Sequence, residues 1–252
     1  MTAAGRAAVR AAFAGWVVGL LYGLSNLSII KGSSGPDAVG FGQYIVENGL
    51  SFTHFQLLVP SLMKLLVLFL FVIQAGGSMV EALHTMAPYR LTRGKGRIRL
   101  YCVQALYLAA ISIAYCSLYA LGLILVLAFA GGYSVSAGDW KVICAALCAH
   151  LIPGTLFTIL WANFLACRIG RANACLCVIC ACTILLFALP ASEEYHRIAA
   201  INPMMHLSPS WKEWFETGDG MDYRAHSLIY WCILLCVTLA VQAILFRRAD
   251  IL

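Results

Sequence analysis

Charge is what this chain has least of. Of its 252 residues only 11% are charged, 17 Lys and Arg and 11 Asp and Glu, against 62% that are hydrophobic. About a quarter of a globular domain is normally charged, so a fold surrounded by water is excluded. Short segments of alternating apolar and polar residues, the mark of a transmembrane β-barrel, are missing too. No phosphate loop of the form G-x-x-x-x-G-K-[ST] occurs, because Gly94-Lys95-Gly96 has neither the spacing nor the hydroxyl. Cysteine is absent from the three expected external loops. Of the eleven cysteines, Cys102, Cys116, Cys144, Cys148, Cys232 and Cys236 fall inside apolar runs, where Cys behaves as a small hydrophobe. Structural disulfides are not expected. Without a repeat of fixed period or a low-complexity tract, residues 1–252 read as one domain.

What the chain has is long apolar runs, each near the ~20 residues that span hydrocarbon as a helix. They predict an all-α, polytopic membrane protein with six transmembrane helices: Ala11–Ile30, Phe55–Ala75, Leu100–Phe129, Trp140–Ala166, Ala174–Leu189 and Ser227–Phe246. The first, with Arg6 and Arg10 ahead of it and no convincing cleavage site, reads as a retained signal-anchor helix. The third is about 45 Å long at 1.5 Å per residue, more than a ~30 Å core requires, so it must tilt or extend into the cytoplasm. His150, Pro153 and Gly154 are expected to interrupt the fourth. Between the first two runs lies an irregular Gly/Ser/Pro/Asn-rich loop with one short helix around Phe41–Val46.

Six spans put both termini on one side, and the basic residues agree. One side receives Arg6, Arg10, Arg90, Arg93, Lys95, Arg97, Arg99, Arg168, Arg171, Arg247 and Arg248. The other receives Lys31, Lys141, Arg197, Lys212 and Arg224, while Lys64 falls within a span. Eleven against five over short loops predicts cytoplasmic termini in a plasma membrane. The net charge of +6 is therefore topological and implies no nucleic-acid partner.

The densest basic segment is Gly76–Arg99, which carries a single acid, Glu81. Within it Met79, Leu83 and Met86 share one face of a helix predicted over Ser78–Ala87. Ser78 and Glu81 have the spacing of a capping box, and Pro88 stops the helix. The result is a short amphipathic helix at the cytoplasmic surface, between the second and third spans.

This pattern resembles the permease subunits of ABC-2 type transporters, in which a short cytoplasmic helix there follows E-x-L-x-x-x-P-x-R, then G-K. The matching residues are Glu81, Leu83, Pro88, Arg90, Gly94 and Lys95, with Glu81–Leu83 in an approximate register. Ile201-Asn202-Pro203 resembles the Asn-Pro often found in that family's fifth-to-sixth loop. The resemblance implies a permease of an ATP-driven exporter, paired with a separate ABC ATPase and with a second permease copy. No cofactor is then bound by this chain, since ATP and Mg sit on the ATPase, and no catalytic residue is expected here. Met79, Glu81, Leu83, Met86, Pro88, Arg90 and Lys95 become the ATPase-coupling residues. By analogy the cargo is a hydrophobic or amphipathic molecule, such as a peptide antibiotic or a drug.

Polar residues inside spans are costly and mark function by default. Ser25, Asn26 and Lys64 are assigned to the substrate path, with snorkelling or helix pairing as the other role for Lys64. His150 either faces that path or makes a buried interhelical hydrogen bond. The run Cys175, Cys177, Cys180 and Cys182 is not read as a metal site, because a helix splits it between two faces and tetrahedral zinc needs four ligands. The segment 191–226 holds Trp211, Trp214 and Phe215 at near-helical spacing, as in a helix resting in the membrane interface. It also supports the rival class. Glu193-Glu194-Tyr-His-Arg197 lies one residue short of the Glu-Glu-x-x-x-Arg motif of intramembrane CAAX-type proteases, to which His150 and His206 would have to contribute.

Overall fold

The computed structural model describes residues 3–30, 40–46, 58–81, 97–132, 134–187, 201–207 and 223–248. No strand occurs among them. The helices are α1 (Ala3–Ile30), α2 (Phe41–Ile45), α3 (Leu58–Ala75), α4 (Arg97–Gly131), α5 (Ala137–Ala146), α6 (Ile152–Ile169), α7 (Arg171–Phe187) and α8 (Tyr223–Arg248). A π-helical turn, Leu147–Leu151, joins α5 to α6.

Each run expected to span is helical over its described residues. Among the described residues, four helices are long and apolar enough to cross a membrane: Ala8–Ser25, Ile98–Ala130, Ala137–Ile169 and Ala225–Arg247. Leu65–Glu81 and Arg171–Leu185 are shorter apolar stretches. The fold is that of an all-helical membrane protein. Large apolar side chains point outward along it, among them Phe13, Leu106, Leu176 and Ile233, as hydrocarbon requires and water would penalise.

The pair α1–α4 is the tightest in the molecule. Gly15, Gly19 and Gly23 recur every four residues on one face of α1 and meet Tyr115, Tyr119 and Val126 in ascending order, so the two helices run parallel. A Cβ at Gly15 would lie 2.6 Å from the Tyr115 carbonyl oxygen, and one at Gly19 would strike that of Tyr119. On the opposite side, a Cβ at Gly122 would lie 2.8 Å from the Trp16 carbonyl oxygen. Each Gly costs a helix up to about 1 kcal/mol relative to Ala. In lipid that cost is offset because helix association rests on van der Waals contact between close backbones. α4 has 35 residues, about 52 Å at 1.5 Å each, so it outreaches the ~30 Å core.

The interior is apolar, with a few hydrogen bonds fixing helix rotation. Tyr115 is buried against Phe71, ring centroids 4.5 Å apart, and donates to the Val67 carbonyl at 2.6 Å. The Cys116 thiol and the Thr155 hydroxyl lie 3.3 Å apart between α4 and α6.

The expected interruption of the fourth run is a widening, not a break. The Ile152 amide donates five residues back to Leu147. Pro153 explains the position. It has no N–H for the Ala149 carbonyl, and its ring would press on that carbonyl in a regular ladder. A π turn relieves the crowding without ending the helix. Thr155 then donates at 2.9 Å to the Leu151 and Ile152 carbonyls.

The α6–α7 reversal is tight. Gly170, at φ 82°, is the only residue between α6 and α7, and positive φ is a conformation that suits Gly alone. Before α5, Ser136 and Asp139 form a capping box. Asp139 also accepts from the Gly42 amide at 2.6 Å, which ties the buried α2 to the same end.

Candidate functional site

The described part of the basic segment begins with an elbow. After α3 the chain turns at Gly76–Gly77 and resumes as helix over 78–81. Three side chains from neighbouring helices hold this turn. Asn163, fully buried on α6, accepts from the Met79 amide at 2.8 Å and from the Ser78 hydroxyl at 3.3 Å. Its amide donates to the Ala75 carbonyl at 2.9 Å and to Ile159 at 3.0 Å. All four hydrogen-bonding positions of the side chain are used.

Arg171, at the start of α7, donates to the Ile73 carbonyl at 2.8 Å and forms an ion pair with Glu81 at 3.1 Å. It thus places a cation at the C-terminal carbonyls of α3, where the helix dipole favours it. The Cys175 thiol reaches the Val72 and Gly76 carbonyls at 3.6 and 3.7 Å. Both glycines are needed for this closeness. A Cβ at Gly76 would strike Val72 and Cys175, and one at Gly77 would sit 2.5 Å from Arg171 Cδ.

The elbow corrects two expectations. Ser78 and Glu81 have the spacing of a capping box, yet the Ser78 hydroxyl binds Asn163 and the Glu81 carboxylate binds Arg171. Met79, expected on the docking face, is 2% exposed and packs with Leu100, Tyr101 and Phe246. Tyr101 in turn donates to Gln242 at 3.1 Å, so the start of α4 and the end of α8 close around it. Met79 belongs to the interior, whereas Glu81 remains 43% exposed. Leu83, Met86, Pro88, Arg90 and Lys95 lie outside the described residues.

A second polar cluster lies on the other side of the molecule, around 201–207. The Asn202 amide donates to the Leu185 carbonyl at 2.8 Å while its oxygen accepts from the Met204 amide at 2.9 Å. Tyr230 donates to the Ile201 carbonyl at 2.7 Å. The His206 carbonyl accepts from His150 Nδ1 at 2.9 Å and from Trp231 Nε1 at 3.2 Å. Since a carbonyl only accepts, His150 carries its proton on Nδ1. The His206 ring meets the Ser227 hydroxyl at 3.1 Å and stacks on Tyr230 at 3.8 Å between centroids. Leu207 fills the notch left by Gly154, where a Cβ would strike it.

Of the residues assigned to a substrate path, His150 is buried and bound to the His206 carbonyl of 201–207. Ser25 is exposed on α1 with its hydroxyl 2.8 Å from the Tyr22 carbonyl. The side chains of Asn26 and Lys64, residues 191–200, and Trp211, Trp214 and Phe215 lie outside the described residues. Cys175 and Cys182 are buried while Cys177 and Cys180 are exposed, the division between faces that the helical spacing predicts. No cluster of metal-ligating side chains is present among the described residues.

Asn163 is the residue that sequence reasoning passes over. The cost argument that singles out Lys64 and His150 applies equally to a lone Asn within the run WANFLAC. No protein-family model, curated protein or solved structure matches the chain.

Proposed function

We propose that this chain is the membrane-spanning permease subunit of an ATP-driven exporter of the ABC-2 type. It crosses the plasma membrane six times with both termini in the cytoplasm, α3 and α7 being the second and fifth crossings. It works with a second permease copy and a separate ABC ATPase that carries the ATP and Mg. The cargo is hydrophobic or amphipathic, of the peptide-antibiotic or drug kind.

The observation that carries this reading is the clamped elbow. A segment pressed from the cytoplasm must move the spans and not itself, and the elbow meets that requirement. Asn163 links it to α6, Arg171 and Cys175 link it to α7, and Gly76–Gly77 continues it into α3. The docking residues are then Glu81 and the segment that follows it through Pro88 and Arg90 to Lys95. Met79 anchors that segment from within.

The test is co-purification from the native membrane followed by ATPase assay in liposomes. Glu81→Ala and Arg90→Ala are expected to reach the membrane in normal amounts. The exposed Glu81–Arg171 pair contributes only about 0–1 kcal/mol to stability. Both variants should lose most of the stimulation this chain gives its ATPase. Normal stimulation in both would remove the docking role. A membrane protease activity lost in Glu193→Ala or Glu194→Ala, with no ATPase recovered, would replace the transporter reading altogether.

A further inference from the structure

The π turn Leu147–Leu151 is the one irregular turn among the described membrane-spanning residues, and it touches two other features. His150 lies inside it and holds the His206 carbonyl. Pro153 and Gly154 follow it, the first disfavouring the regular ladder and the second receiving Leu207. A π turn holds one residue more than a regular turn, so taking it up into α-helix would rotate one flank against the other by roughly one residue, about 100°. The flank that would turn is α5, which is only ten residues long, packs on the core through Ile143 and Ala146 and is tied through Asp139 to α2.

We propose that Leu147–Leu151 is a two-state joint and that 201–207 is the strap that locks it. With the strap docked, His150 must lie where its Nδ1–H reaches the His206 carbonyl, as it does in the π form. With the strap away, the turn rewinds into a proline-bent α-helix. α5 then rotates on α6 and carries α2 with it. Pro153 and the strap hold the same state, one by removing an amide and the other by taking a side-chain hydrogen bond. The joint is a property of this chain alone and needs no partner or cargo.

The two halves must respond to one another, because linkage between two sites is reciprocal. Hydrogen exchange with mass spectrometry on the full chain in nanodiscs reads both. His150→Phe removes the bond from the joint side and is expected to raise exchange roughly tenfold in 201–207 and to shift the exchange of 143–152 to the pattern that Pro153→Ala gives. His150→Gln keeps a donor for the His206 carbonyl and should restore most of the protection. Pro153→Ala returns the missing amide, favours the α form, and should loosen 201–207 although it adds no bulk there. Protection in α1 and α4 separates these local openings from unfolding. Loosening of 201–207 alone in His150→Phe, or unchanged exchange there in Pro153→Ala, would overturn the joint.

Discussion

Gly19→Val is expected to remove most of the folded protein from the membrane fraction. The new Cβ would fall on the Tyr119 carbonyl oxygen, and a backbone atom cannot swing aside as a side chain does. The α1–α4 pair must separate along its length, because Gly15 and Gly122 make similarly close approaches on either side. Overpacking of a rigid site typically costs about 1–3 kcal/mol, and a β-branched residue against backbone belongs at the upper end. Chemical unfolding in mixed micelles should place Gly19→Val about 3 kcal/mol below the parent. Gly138→Ala is the control. Its Cβ would have the Ser136 hydroxyl at 3.5 Å, an ordinary contact, and stability should hold or rise by up to about 1 kcal/mol, since Ala is the better helix former.

The second large effect belongs to Asn163. Asn163→Leu keeps the number and branching of the side-chain heavy atoms but deletes four hydrogen bonds at once. The Met79 amide and the Ala75 carbonyl would then be left buried without this partner, at about 1–3 kcal/mol each. The elbow is expected to come away from α6, with faster hydrogen exchange over 75–81 and a stability loss of about 3 kcal/mol. Ser78→Ala loses only the 3.3 Å bond and should cost about 1 kcal/mol or less. If the elbow transmits force, Asn163→Leu also reduces ATPase stimulation in the fraction that remains folded. Stimulation equal to the parent's, alongside loosened 75–81, would show that the elbow is held but not used.

Much of this fold was legible because hydrocarbon is a demanding solvent. Runs such as Leu100–Phe129 can only be helices there, and α4 overlaps that run with a few residues more at each end. The short helix at Phe41–Val46 and the division of the cysteines in α7 between two faces followed from spacing alone. What periodicity does not carry is the contact partner. Ser78 and Glu81 have capping-box spacing, but Asn163 and Arg171 are 85 and 90 residues away and take those side chains instead. Met79 reads as part of an exposed face because a short helix has one apolar side, and nothing local says whether that side meets a partner or the start of α4. Pro153 and Gly154 signal irregularity without its kind, since a break and a π turn both accommodate a missing amide. His206 and Ser227 give no sequence signal that joins them.

The most direct test of the central claim is photo-crosslinking at the elbow. A photoreactive residue placed at Glu81, and separately at Leu83, is activated in intact native membranes and the adduct identified by mass spectrometry. The account predicts an ABC ATPase subunit as the adduct at both positions. It predicts no such adduct when the probe sits at Phe129, 84% exposed near the far end of α4. Adducts at Glu81 and Leu83 only with lipid or with this chain itself would contradict it.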